Sequence, residues 1–248
     1  MKPKLKLGLT LFALGFLGVL TMLTMTLPIP EEMAHFPPFV VKLLILINPT
    51  VLLLIAVAVG TALFDKVNLK VPVISSLLKI EQEDYKTIFT QQLKYGVSLG
   101  LLAGILIVAI AQIYSVFLPE ELKALENQIV PTLAARFLYG GITEELLLRF
   151  GVMTLVIWIA FKLTKQLNNT AYWIGIFVST VLFAVGHFPA VFAALSNPSS
   201  LLLSYILIGN SVGGLIFGWL YWKKGLEAAI IAHIFTHVAM VLLGIVVN

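Results

Sequence analysis

Gly141-Ile142-Thr143-Glu144-Glu145-Leu146-Leu147-Leu148-Arg149 places two carboxylates and a guanidinium inside an apolar run that extends from Pro131 to Leu163. The fold class turns on how this run meets the bilayer. An apolar run of about 33 residues would make a helix of about 50 Å, against a hydrocarbon core of about 30 Å, so it must be tilted, broken or folded back. Arg149-Phe150-Gly151 is the expected break. A charge at the centre of a spanning helix costs about 2.5–3.5 kcal/mol on insertion scales, so these three groups need partners or a task.

The rest of the composition agrees with a membrane setting. Of 248 residues, 60% are hydrophobic and 11% charged, and the mean hydropathy is +1.02. Soluble domains carry about 25% charged residues. The expectation is an all-α polytopic bundle with seven or eight transmembrane helices. The apolar runs are too long and continuous for barrel strands, which alternate apolar and polar residues over about 10 positions. There is no cysteine, which excludes a thiol nucleophile, a disulfide framework and a thiolate metal site. The net charge of +4 comes from scattered lysines, which fit loop orientation in a lipid bilayer and not a nucleic-acid partner.

Spans are expected at about 7–27, 39–64, 95–117, 131–163, 171–188, 201–222 and 226–247. The first follows Lys2, Lys4 and Lys6 and is too long for the apolar core of a signal peptide, about 7–15 residues, so it is read as retained. Asn48-Pro49 should kink the second span, because proline removes an amide donor and clashes with the preceding turn. Lys66, Lys70, Lys79, Lys86 and Lys94 mark residues 65–94 as a cytoplasmic loop, part of it along the interface, with the N-terminus on the same side. The loop from Pro28 to Pro38, with Glu31 and Glu32, and the connector Pro119-Glu120-Glu121 belong outside. Loop charges favour a single crossing by residues 131–163 and an odd count. Two units are expected: N-terminal helices in residues 1–125 and a core carrying the buried polar groups in 126–248.

Glu145 and Arg149 are four apart, so on an α-helix they share a face and can pair. Glu144 then points about 100° away and is free for another partner. Three of the four histidines fall in late spans: His187, and His233 with His237 on one helical face. Each alone reads as an interhelical hydrogen-bonding residue. Together with the glutamates they are the parts needed to activate a water and stabilise an oxyanion.

Glu144-Glu145-x-x-x-Arg149, then Phe183-x-x-x-His187, then His233 with a polar residue four later, resembles the three motifs of the CPBP (CAAX protease and bacteriocin-processing, or Abi) intramembrane endopeptidases. That family includes CAAX prenyl protease 2 enzymes and lysostaphin resistance protein A-like proteins. The resemblance implies an intramembrane endopeptidase of a bacterial or archaeal cell membrane, acting on a peptide or protein substrate, lipidated in the prenyl-protease branch. It assigns Glu144 as general base, His187 to the water, His233 to the oxyanion, and Glu145 with Arg149 as a supporting pair. His237 departs from the pattern, which has asparagine or aspartate there. An imidazole can also donate to an oxyanion.

The departure opens a metal alternative. His233-x-x-x-His237 has the spacing of a zinc helix but lacks its internal glutamate. Glu144, His187, His233 and His237 would be the ligands of a Zn2+ ion carrying an open water position. Gly209-Asn210-Ser211-Val212-Gly213 matches G-x-S-x-G, but a nucleophile elbow sits on a strand-to-helix turn. Gly209 with Gly213, and Gly214 with Gly218, are read as close-packing faces. The remaining alternatives are a serine protease using Ser211, a proton-coupled carrier, and a structural membrane subunit.

Overall fold

The computed structural model describes residues 2–28, 33, 35–80 and 84–247, with backbone alone for 245–247. Glu31 and Glu32, in the expected outer loop, lie outside the described residues. The chain is all-helical, and among the described residues seven helical segments are long and apolar enough to cross a membrane.

The first is α1 (Pro3–Thr21), opened by a proline where the missing amide is harmless. The second is divided into α2 (Pro38–Ile45) and α3 (Ile47–Leu63). The division falls at Leu46, just before the Asn48-Pro49 pair expected to cause it. A short α4 (Pro72–Leu77) follows, then α5 (Tyr85–Ser115), which starts ten residues earlier than expected. Asp84 caps α5, accepting from the Lys86 and Thr87 amides at 3.2 and 3.3 Å. The exposed α6 (Pro119–Gln128) carries the acidic connector.

The fourth span, Ala135–Thr164, is 30 residues long. It opens with two wide stretches, Ala135–Glu144 and Leu146–Met153, wound as π-helix, and ends in α7 (Thr154–Thr164). The expected break at Arg149-Phe150-Gly151 does not occur, since those residues lie within the second wide stretch. Winding more residues into each turn shortens the segment and lets it cross once. Then come α8 (Asn169–Val185), α9 (Phe188–Ala194), α10 (Ser200–Lys224) and α11 (Leu226–Val247). The fifth span includes α9 and runs to Ala194, beyond the expected Phe188.

Small residues set the helix contacts. A Cβ on Gly96 or Gly100 of α5 would collide with Ile231 or the Ala232 carbonyl of α11, and one on Gly104 would meet Ala239 and the Thr236 carbonyl. Thr236 Oγ1 donates to the Gly100 carbonyl at 3.1 Å. This glycine stripe lets the histidine-bearing helix seat against α5. Similarly, Gly18 of α1 lies against Thr143 and the Leu138 carbonyl, and Thr143 Oγ1 donates to Gly15 O at 2.7 Å. Gly60 of α3 receives Phe150.

The two ends of the bundle differ in charge. At one end Lys4 pairs with Asp65 at 2.7 Å, Lys6 Nζ donates to Leu78 O at 2.9 Å, and Leu226 N donates to Lys70 O at 3.0 Å. Thus the N-terminal lysines, the 65–80 segment and the Lys223-Lys224-Gly225 turn share this basic end. The segment folds against the core, burying Val67, Leu69, Val71 and Val73. Glu227 anchors it, accepting from Ile74 N at 2.9 Å and Gln92 Nε2 at 3.3 Å. At the opposite end α6 carries Glu120, Glu121 and Glu126. There Glu121 accepts from the Ser199 amide at 2.8 Å and its hydroxyl at 2.5 Å.

Candidate active site

The wide helix alters the expected geometry of the two glutamates. Bonding to the fifth residue back turns each residue less than the 100° of an α-helix, so Glu144 and Glu145 diverge less than expected and address one imidazole. Glu145 Oε1 lies 3.0 Å from His233 Nδ1, and Glu144 Oε2 lies 3.8 Å from His233 Nε2. Glu144 therefore shares His233 with its neighbour, while Arg149 pairs with Glu145. Because a carboxylate only accepts, His233 Nδ1 donates to Glu145.

Glu145 also faces Arg149, with Nε to Oε2 at 3.3 Å and both side chains fully buried. The two are close enough for an ion pair, yet neither Glu145 Oε2 nor any guanidinium nitrogen has an aligned hydrogen bond. Aromatic faces complete the guanidinium's surroundings: Cζ is 5.2 Å from the Phe183 ring centroid and 5.9 Å from that of Phe217. Phe217 also stacks on His233 with centroids 4.6 Å apart. Charge pairing and cation–π attraction thus replace the hydrogen bonds that water would supply.

Behind this wall lies a cavity of about 800 Å³, into which Glu144, His187, His233 and His237 all face. Glu145 and Arg149 do not line it. Glu144 keeps 18% of its side chain exposed, whereas Glu145 has 0%. This difference separates a carboxylate that can meet a ligand from one that holds geometry.

His187 sits at the turn between α8 and α9, where Pro189 begins the new helix. Its Nδ1 donates to the Phe183 carbonyl at 2.8 Å, leaving Nε2 as an acceptor in the neutral ring. The rings of His187 and His233 both meet Phe183 edge-on, with centroids 5.1 and 5.8 Å away. These contacts bring His187 and His233, from separate spans, against one ring. His237 stacks against His233 at 5.0 Å, above Gly140, where a Cβ would come within 2.6 Å of its Nε2. Gly140 is therefore needed for the close approach.

Residues 126–239 match the family model of type II CAAX prenyl endopeptidase Rce1-like proteins. Over this stretch, a little under half of the chain, the sequence is similar to that family. Comparison with the curated proteins and with the solved structures gave no match. The Rce1-like match covers all six candidate residues.

Three cavity residues of the Rce1-like stretch escape a motif reading: Arg136, Tyr139 and Asn210. Arg136 is a further ionisable group in the apolar run from Pro131 to Leu163. Asn210 also lines an adjoining cavity of about 130 Å³, together with His233 and His237. Ser211 faces neither cavity. Gly214 and Gly218 pack against Thr180 and Ile176 of α8 as expected, but a Cβ on Gly209 would meet nothing within 4 Å, and Gly213 meets only Phe217 of its own helix. The Gly209–Gly213 pair therefore opens space and does not form a packing face.

Among the described residues, no group of three or more His, Asp or Glu side chains converges as a metal site. His233 Nδ1 is committed to Glu145 and His187 Nδ1 to a backbone carbonyl. These bonds leave Nε2 of both rings free, as in a metal-binding histidine, but the side chains of Glu144, His187, His233 and His237 do not converge on one point as a zinc ion requires.

Proposed function

We propose that the protein is an intramembrane endopeptidase in which Glu144 activates a water and His233 stabilises the resulting oxyanion. The observation that carries this reading is the asymmetric bracket on His233: a buried glutamate on Nδ1 and a cavity-facing glutamate beside Nε2. An imidazolium at His233 makes the set Glu144, His233, Glu145 and Arg149 electrically neutral, which suits a low-dielectric interior. Glu144 removes a proton from water held with His187 Nε2, and the oxygen attacks the peptide carbonyl. The imidazolium and the free N–H of His237 offer donors to the oxyanion. Protonated Glu144 then passes its proton to the leaving amine. Glu145 and Arg149 position His233 without touching substrate.

The basic end, under the positive-inside rule, is cytoplasmic, so the N-terminus is inside. The large cavity is lined near the acidic end by Met25, Leu27, Ile129 and Pro131, which opens it toward the other face. Its mostly apolar wall suits a peptide with hydrophobic or lipidated residues.

The test is incubation of purified protein in detergent with lipidated and unlipidated peptides, followed by mass spectrometry of new termini. New internal cleavage products are expected. Intact peptides, together with uptake driven by a pH gradient in liposomes, would favour the carrier reading instead.

A further inference from the structure

Glu227 is a buried carboxylate that the proposed chemistry does not use, in the first turn of the helix that carries His233 and His237. Among the described residues no cation pairs with it. Amide donors from two other elements hold it instead: the Ile74 backbone of α4 on Oε1 at 2.9 Å and the Gln92 side chain of α5 on Oε2 at 3.3 Å. Gln92 Nε2 also donates to the Lys224 carbonyl at 2.7 Å, just before α11 begins. The turn from α10 into α11 passes this closely because residue 225 is glycine, with φ at +107° and no room for a Cβ against Pro72 and Gln92. Burying a carboxylate without a cation is costly, which points to something that the carboxylate holds in place.

Its contacts bear on the register of α11. Further along, α11 lies in the groove of Gly96, Gly100 and Gly104. Dispersion contacts there oppose separation of the helices, but a groove without side chains resists sliding and rotation weakly. Directional bonds fix register. Thr236 Oγ1 to Gly100 O supplies one in mid-helix, and Glu227, Gln92 and the Leu226 amide on Lys70 O supply the others at the basic end. His233 follows Glu227 by six residues, about 9 Å along the axis at 1.5 Å per residue. A rigid helix carries a slip at Glu227 to His233 undiminished, whereas a catalytic constellation tolerates displacements of about 0.5 Å. His233 has to keep its 3.0 Å contact with Glu145 on the fourth span.

We infer that Glu227 is a positioning residue: by tying the first turn of α11 to α4 and α5, it sets the depth and rotation at which His233 meets Glu144 and Glu145. The segment of residues 65–80 thereby becomes part of the catalytic apparatus, although it lines neither cavity. For turnover this rests on the endopeptidase reading above, but for the placement of α11 it does not.

Placement and turnover are therefore measured separately on the full-length protein in detergent. The chain has no cysteine, so Leu17→Cys on α1 and Leu242→Cys on α11, both exposed positions, carry a nitroxide pair whose separation is read by double electron–electron resonance. Glu227→Ala should shift or broaden that separation by about 1.5 Å or more, one residue of helical rise. At matched folded fraction its kcat should fall about 10²-fold with KM within about twofold. Glu227→Gln, which keeps an oxygen for the Ile74 amide, should hold the wild-type separation and most of the turnover. Gln92→Met, similar in volume, should move both readings in the direction of Glu227→Ala, and it carries the test if that variant does not fold. An unchanged separation in the folded variant overturns the assignment, and so does a fall in kcat without a shift. A shifted separation, in a protein whose wild type cleaves no peptide, upholds the placement of α11 by Glu227 and removes the endopeptidase reading.

Discussion

Glu145 Oε1 accepts a hydrogen bond from His233 Nδ1 at 3.0 Å while its other oxygen lies 3.3 Å from Arg149 Nε. One carboxylate thus ties the helix that carries Glu144 to the helix that carries the histidines. Removing it leaves a buried arginine without a counter-ion. Breaking such a pair costs about 3–5 kcal/mol, so Glu145→Ala should lower the thermal midpoint strongly as well as abolish turnover. Glu144→Gln should lower turnover with little change in the midpoint. A thermal-shift assay on both variants distinguishes the two roles.

Arg149 and Glu145 should be energetically coupled. Arg149→Met and Glu145→Gln each leave one partner stranded, and the double variant restores neutrality. In a double-mutant cycle of unfolding free energies the double variant should be less destabilised than the sum of the singles by about 1–3 kcal/mol. Additive losses would mean that the two do not interact.

The contact between α5 and α11 sets the histidines' depth. Gly100→Val places branched carbon against the Ala232 carbonyl, and overpacking of this kind costs about 1–3 kcal/mol. Because α11 carries His233 and His237, turnover should fall together with stability. Gly209→Ala, where a Cβ meets nothing within 4 Å, should leave the midpoint unchanged. Circular dichroism melts of the two variants check this contrast.

Chelation and serine substitution test the rival chemistries. Activity after exhaustive dialysis against a strong chelator should match the untreated enzyme, with no zinc found by elemental analysis of the purified protein. Ser211→Ala should retain full turnover, since Ser211 faces neither cavity. Loss of activity on chelation with recovery on adding zinc would require the donor set to rearrange around a metal.

The sequence was most informative where chemistry and insertion cost coincide. The helical bundle follows from apolar run lengths, and Glu144, Glu145, Arg149, His187, His233 and His237 stand out because polar groups are scarce in such runs. What stayed hidden depends on helix winding and on contact. Periodicity assumes 3.6 residues per turn, so it overstates the angle between Glu144 and Glu145, and it places a break at Arg149-Phe150-Gly151 where a wider helix simply continues. The Gly96, Gly100, Gly104 spacing names no partner, and only the fold shows that it receives α11. Arg136 was hidden for another reason: next to a span boundary, an arginine reads as an ordinary flank. Its place in the cavity depends on how the first, second and fourth spans meet.

The most direct test of the account is the turnover of Glu144→Gln beside wild type on a peptide that the wild type cleaves, in the same detergent and at matched folded fraction. Loss of a general base predicts a fall of about 10²–10⁴-fold in kcat with peptide binding retained. Turnover equal to wild type would contradict the assignment of Glu144 and, with it, the proposed mechanism.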